Sequence, residues 1–327
     1  MRTVRTVRTV RTVRTVRTVR TVRTAPCYRS GMTTLSPKDW LLVILMTVCW
    51  GINWPIMKIG VQDFPPLTFR TISMLIGLAV IWLVARMQGV SLALRRDQLA
   101  PVVRLTIPNM LVWHAVIVFG VRMLASGRAA ILAYTMPVWA VLAGVVFFRE
   151  TIPGRAWFGV ACAMTAAMLL LTSEIGNIAG QPLGSGLILL AAAAWGYGTV
   201  VMKRSPIDMS TMALTFWMMA ITTAVLTIGA TILEHPAWRV PTGRESAAIL
   251  YNGLIIFGLV HTVWFRLARL LPPVASSLSI MMIPVLGVFS GAWMLGETPH
   301  WQDYAAMLLI LLAMSAVLLK PRALAPT

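Results

Sequence analysis

Two histidines, His114 and His261, are the only ionisable side chains near the middle of a long apolar run, and they stand 147 residues apart. An imidazole gains and loses a proton near neutral pH. The pair therefore suits either contact with a substrate or a moving proton, or a hydrogen bond between neighbouring helices. One histidine per run lacks the adjacent ligands a metal requires, so no metal site and no cofactor are expected.

Aromatic residues gather around the same idea. Trp50, Asn53, Trp54 and Met57 follow the i, i+3, i+4, i+7 spacing of one helix face. Asn53 is polar inside an apolar run, and such groups turn toward a bundle interior. Trp195, Thr199 and Met202 make a corresponding face, with Tyr197 off that stripe. Tryptophan also anchors helices at the membrane interface, but Trp50 and Trp195 fall near mid-run. The expected lining of a substrate cavity is Trp50, Asn53, Trp54, His114, Tyr134, Trp195, Tyr197 and His261.

Pro55, Pro137 and Pro284 also fall inside apolar runs. A helical proline leaves the carbonyl four residues back without its donor, so these are candidate kinks or hinges. Ala140 with Gly144, and Gly287 with Gly291, are small-xxx-small pairs that let helix backbones approach. Glu150 and Glu297 end two runs, where a carboxylate opposes the helix dipole unless something nearby favours it; Arg155, or the start of another helix, could do so. The 21 methionines suit an adaptable interior. The cysteines, Cys27, Cys49 and Cys162, have no metal or redox spacing.

The elements that position these residues are membrane spans. The hydrophobic fraction is 58%, the charged fraction 12% and the mean hydropathy +0.80, too few charges to cover a soluble surface. A bilayer crossing needs about 20 apolar residues. Ten stretches qualify: 40–59, 66–86, 103–122, 128–148, 154–172, 184–203, 210–232, 247–268, 273–295 and 301–319. The net charge of +18 is inflated by a tract of Arg-Thr-Val repeats over residues 2–24, which carries eight arginines. A step of three residues spirals around a helix and makes no stable polar face. The tract, residues 1–31, is expected to be disordered or to reflect a misplaced start, with Met32 as the alternative.

Leaving residues 1–24 aside, placing both termini in the cytoplasm puts 14 Lys and Arg on the inner side and 6 on the outer, namely Lys58, Arg70, Arg122, Arg128, Arg239 and Arg244. Both termini are therefore expected to be cytoplasmic.

The chain also repeats itself. "CWGINWPIMKIG" from Cys49 matches "AWGYGTVVMKRS" from Ala194 at an offset of 145. At an offset of 147, His114 meets His261, Arg122 meets Arg269, Pro137 meets Pro284, Gly144 meets Gly291 and Glu150 meets Glu297. Two five-span units follow, at 38–172 and 184–320. Because five is odd, the second enters the membrane from the opposite face, and the halves are inverted about an axis in the membrane plane. Inverted halves can exchange conformations, which is the geometry of alternating access.

With "WGINWPIMK" on span 1, "ILAYTMPVWAVLAGVVFFRETI" on span 4 and "SLSIMMIPVLGVFSGAWMLGETP" on span 9, the chain resembles the drug/metabolite transporter superfamily and, within it, the ten-helix EamA family. Span 9 closes in the family's Gly-Glu, while span 4 has Arg149-Glu150. The resemblance covers about residues 38–320. It implies a bacterial plasma-membrane exporter of amino acids or other metabolites, with drugs as cargo in some members. The partners expected are a small-molecule substrate, the bilayer and, if the histidines titrate, protons; nucleic acid is not among them. The rival readings are a membrane enzyme acting on lipid-linked substrates and a non-transporting scaffold. The sequence lacks a His-rich box, a Ser-His-Asp arrangement and a phosphate-binding Gly loop, as an enzyme would require.

Overall fold

The computed structural model describes residues 37–176, 180–261, 263 and 273–318. The tract at 1–31, and Arg266, Arg269, Lys320 and Arg322 of the charge comparison, lie outside the described residues.

Among the described residues, eight helices are long and apolar enough to cross a bilayer: α1 (Pro37–Gln62), α2 (Pro66–Met87), α3 (Arg96–Met123), α4 (Ser126–Phe148), α5 (Gly154–Ile175), α6 (Pro182–Arg204), α7 (Thr211–Leu233) and α10 (Trp301–Leu318). Between α7 and α10 run α8 (Gly243–Leu250, continuing as Tyr251–Val260) and α9 (Pro273–Leu295). The fold is an all-α membrane bundle of two five-helix repeats. The near face is where α1 begins, and the far face is where it ends.

Local chemistry sets the helix starts. Pro66 and Pro182 open α2 and α6, at positions whose N–H has no intrahelical acceptor anyway. Ser210 Oγ accepts from Ala213 N at 3.2 Å to start α7. Thr242 and Glu245 cap α8 reciprocally, with Thr242 N donating to Glu245 Oε2 at 2.7 Å.

The packing obeys the inversion. α1 packs on α9, and its image α6 packs on α4. α2 lies along α8, and its image α7 lies along α3. The pairs α2–α7 and α5–α10 are their own images. Adding five to each label maps these contacts onto one another, as a two-fold between inverted repeats requires.

Two departures from α geometry also map onto each other. Ile107–Val112 in α3 and Tyr251–Val260 in α8 are π-helical, and the first falls inside the second under the 147-residue offset. Where the register slips, a carbonyl loses its usual N–H. Asn109 Nδ2 donates to Leu105 O at 3.0 Å and Asn252 Nδ2 to Ala248 O at 3.1 Å, one asparagine at the start of each slip. Pro108 accompanies the first π segment, whereas the second forms without a proline.

The matched prolines, by contrast, differ. α4 is broken at Tyr134 and Thr135 into Ser126–Ala133 and Met136–Phe148, and Pro137 sits at the start of the second piece. It therefore opens the second segment of the span, and the break falls in the turn before it, where its missing N–H leaves a carbonyl free. Thr135 Oγ1 donates to Leu132 O at 2.7 Å and accepts from Trp139 Nε1 at 3.1 Å, holding the break. α9 and α1 run through Pro284 and Pro55 without interruption.

The C-terminal turns of α4 and α9 match closely. Arg149 has φ 55° and Gly296 has φ 67°, the left-handed residue that ends many helices. In each the following glutamate folds back over a glycine. A Cβ on Gly144 would meet Glu150 Oε2 at 2.6 Å, and one on Gly291 would meet Glu297 Oε2 at 2.5 Å. These two glycines thus make room for a carboxylate from their own turn, and Gly291 also for the approach of α4, since the same Cβ would meet Ser126 Oγ at 2.5 Å. Their partners in the small-residue pairs serve helix approach: a Cβ on Gly287 would stand 2.7 Å from Ala130 Cβ, and one on Gly196 would stand 2.7 Å from Ala140 N.

Candidate functional site

Inside the bundle, α1, α2, α3 and α8 bring a group of rings and cations together around Phe257, which is 1% exposed. His114 meets the Phe257 ring edge-on at 5.3 Å, and His261 lies tilted against it at 5.7 Å. Trp50 stands edge-on to His261 at 6.2 Å. The guanidinium of Arg70 lies 5.4 Å from the centre of the Phe257 ring. His261 Nδ1 donates to Ile256 O at 2.6 Å, five residues back along the π segment. The π turns thus act directly on the histidine's orientation and leave Nε2 as the acceptor nitrogen of the neutral ring.

Polar atoms in this region lack partners. Asn53 Oδ1, Arg70 Nε and His114 Nδ1 are buried without a hydrogen bond. Unmet polar groups are rare in folded proteins, and in lipid they must be met by protein, water or a ligand.

The other predicted lining residues divide. Trp54 is buried beside Tyr134, with the rings at 6.5 Å, so these two connect α1 to the break in α4. Trp195 is half-buried and lies against Trp113 at 5.2 Å. Its inverted counterpart Trp50 contacts a histidine, whereas His114 turns away from Trp195 toward Phe257. Tyr197 stands apart from these rings. It is 37% exposed, and its ring meets Phe147, itself 66% exposed, at 5.2 Å. Two residues along a helix turn a side chain about 200°, so Tyr197 leaves the face that Trp195 occupies.

Arg70 and Phe257 were missed by residue type and spacing. Arg70 offers a signal, a guanidinium inside an apolar run, which the charge comparison leaves either on the outer side or within the fold. Phe257 offered none, because a phenylalanine among apolar residues is indistinguishable from packing.

The far face is fastened by charge. Ala125 and Pro65, which precede α4 and α2, provide no side-chain cap; glutamates from the second repeat do. Glu297 accepts from Ser126 N at 2.6 Å, Ser126 Oγ at 2.9 Å and Gly127 N at 3.2 Å. Glu234 accepts from Leu67 N at 2.9 Å, and from Thr68 N and Thr68 Oγ1 at 2.8 Å. A carboxylate is favoured at the positive end of a helix, and this resolves why Glu297 ends α9. Arg128, 7% exposed, pairs with Asp303 at 2.8 Å and also with Glu174. Lys58 Nζ donates to Arg122 O at 2.6 Å. A cavity of ≈ 500 Å³ opens here, lined by Arg128, Glu174, Gln181, Glu297 and Asp303 among others. It is not the aromatic group, and its charged side chains are already engaged, Arg128 with Asp303 and Glu174, and Glu297 with the start of α4.

On the near face, Glu150 pairs with Arg204, whose guanidinium lies 4.3 Å from the centre of the Phe148 ring. Gln98 Nε2 donates to Asp208 O at 2.8 Å, and Trp217 Nε1 donates to Leu92 O at 2.7 Å. Under the 147-residue offset the counterpart of Glu234 is Met87, which cannot cap α7; Ser210 does so from within its own chain segment. Among the described residues, no three His, Cys, Asp or Glu side chains group closely enough to hold a metal ion.

Comparison with known proteins decides the family. The model of the EamA-like transporter family matches twice, over residues 38–172 and 182–319. The chain belongs to the EamA-like transporter family. Among its relatives is the "Uncharacterized inner membrane transporter YedA" of Escherichia coli K12, 27% identical over 83% of this chain and 88% of that protein. Another is the "Probable amino-acid metabolite efflux pump" of Salmonella typhimurium, 24% identical over 85% of this chain and 93% of that one. A solved crystal structure shares the fold with a TM-score of 0.61 at 18% identity, covering 86% of this EamA chain and 96% of its own. The EamA protein is thus a multi-pass membrane protein whose family is named for transport.

Proposed function

We propose that this EamA protein is a secondary transporter of the bacterial inner membrane that exports small metabolites by alternating access, with both termini in the cytoplasm. The observation that carries the reading is the meeting of matched elements from inverted repeats. His114 of the first repeat and His261 of the second face one Phe257 ring, beside polar atoms with no protein partner. A substrate that contacts these groups differently in the two conformations is sufficient to shift their populations, and no covalent step is needed. Amino acids or related compounds are the first cargo to test, because a relative covering most of the chain is named as a probable amino-acid metabolite efflux pump.

The test is flux. Inverted membrane vesicles from cells overexpressing the protein should accumulate members of a labelled metabolite panel faster than vesicles from cells lacking it. Equal uptake across the panel would overturn the reading and return attention to a membrane enzyme or a scaffold.

A further inference from the structure

Arg70 is the fifth residue of α2 and is 3% exposed. Its Nη2 contacts Met57 Sδ at 2.7 Å, its Nε has no partner, and the rings of Phe69 and Phe257 lie 5.9 and 5.4 Å from its guanidinium carbon. A thioether is a weak acceptor and a ring face a weak counter-charge. None of these is an anion.

Among the described residues, the other buried charges are compensated. Arg128 has Asp303 and Glu174; Glu245 has Arg239; Glu234 has two backbone N–H groups and a hydroxyl. Arg70 cannot be served in this way. The chain has 10 acidic residues. Asp39, Asp63, Asp97, Glu150, Glu174, Asp208, Glu234, Glu245, Glu297 and Asp303 all stand at or beyond the ends of the helices. The interior therefore holds Arg70, His114 and His261 with no side-chain anion. An ionisable group buried in a membrane bundle without a partner points to a substrate pathway.

We propose that Arg70 is the anchor of an anion site, and that the ligand is a small organic carboxylate with an apolar or aromatic body. The inference rests on the transporter reading and narrows its substrate class. The carboxylate pairs with the Arg70 fork, a geometry guanidinium suits. The body lies among the rings of Phe257, Trp50 and His261. Asn53, one turn before Met57 on α1, and His114, on the same Phe257 ring, supply the buried unpartnered atoms for the ligand's remaining polar groups. Because no acidic side chain reaches this interior, an ammonium has no counter-charge there, and a monoanion fits better than a zwitterion.

The test uses the purified full chain in detergent, titrated with phenylacetate, its neutral isostere phenylacetamide, phenylalanine and chloride, and read by tryptophan fluorescence and by thermal melting. Wild type should bind phenylacetate at least about 30-fold more tightly than the amide, the lower end for losing one partner of a buried charge pair. It should bind phenylacetate more tightly than phenylalanine or chloride. Arg70→Met should bind acid and amide alike, while melting at or above the wild-type temperature without probe, because it removes an unpaired buried charge. Arg70→Lys, which keeps the charge and loses the fork, should retain a reduced preference for the acid. Equal binding of acid and amide by wild type would overturn the proposal, and that comparison needs no variant to fold. So would undiminished phenylacetate affinity in Arg70→Met, a preference for chloride, or a preference for phenylalanine. Absence of flux in vesicles would overturn the transporter reading and leave this binding comparison standing.

Discussion

Trp50 is half-buried on the inner face of α1, edge-on to His261. Its removal should weaken substrate binding by about 0.5–2 kcal/mol, the range for one ring contact to a ligand, with little loss of stability. Transport KM for Trp50→Ala against wild type, with melting temperature alongside, checks this; a lower melting temperature with unchanged KM would make Trp50 a packing residue. His114 has a different outlook. A proton relay needs donors and acceptors within hydrogen-bond reach. His114 Nδ1 has no protein partner, and His261 Nδ1 is engaged by its own helix. The initial transport rate of His114→Gln should therefore parallel that of wild type as pH is varied. Flattening between about pH 5.5 and 7.5, around the ordinary histidine value of about 6.5, would identify His114 as the proton carrier instead. Spacing alone placed Trp50, His114 and His261 near one another. It could not place Arg70 with them, because the reach of a long side chain from an adjacent helix leaves no periodicity in its own sequence.

The helix ends show how far matched residues act alike. The turns after α4 and α9 share one geometry, although one has Arg149 and the other Gly296 in the left-handed position. Their glutamates then differ in what they hold: Glu297 caps α4, while Glu150 pairs with Arg204. If the notch over Gly291 exists to seat the Glu297 cap, Gly291→Ala and Glu297→Ala should each cost about 1–2 kcal/mol, the scale of a lost helix cap. The double variant should cost no more than either. Thermal unfolding of the four proteins as a double-mutant cycle measures this. Additive losses would mean that the glycine serves helix packing independently of the carboxylate. The π segments were invisible beforehand: a one-residue slip in hydrogen bonding changes no apolar pattern, and only Pro108 hints at the first of them.

At the scale of the molecule, the two faces differ. Cross-repeat carboxylate caps and a buried Arg128–Asp303 pair tie the far face. The near-face ties are the partly exposed Glu150–Arg204 pair and hydrogen bonds from Gln98 and Trp217. Alternating access requires the two sets to make and break in turn. On the proposed topology, with both termini cytoplasmic, the far face is the outer one. In a cysteine-free background, Val240→Cys, on the far face and 88% exposed, should react with an impermeant thiol reagent in intact cells. Gln88→Cys, exposed beyond the near end of α2, should react only after permeabilisation. The reverse pattern would invert the topology.

By itself, the sequence determined the membrane class, the doubling and the inversion. Each follows from one-dimensional quantities: the length of apolar runs against the bilayer, a repeat offset, and the parity of five. It also located the matched histidines, since polarity inside an apolar run is a local signal. Only the tertiary structure decided which of the matched residues meet. Inverted symmetry would give Trp50 and Trp195 equivalent partners, yet one faces His261 and the other Trp113. The tertiary structure also showed that Pro137 opens a helix segment while Pro284 lies within one, and that Arg70 is buried without an anion. These outcomes depend on how side chains from four helices fill one shared volume. Two repeats of different composition fill it differently, whatever their common spacing.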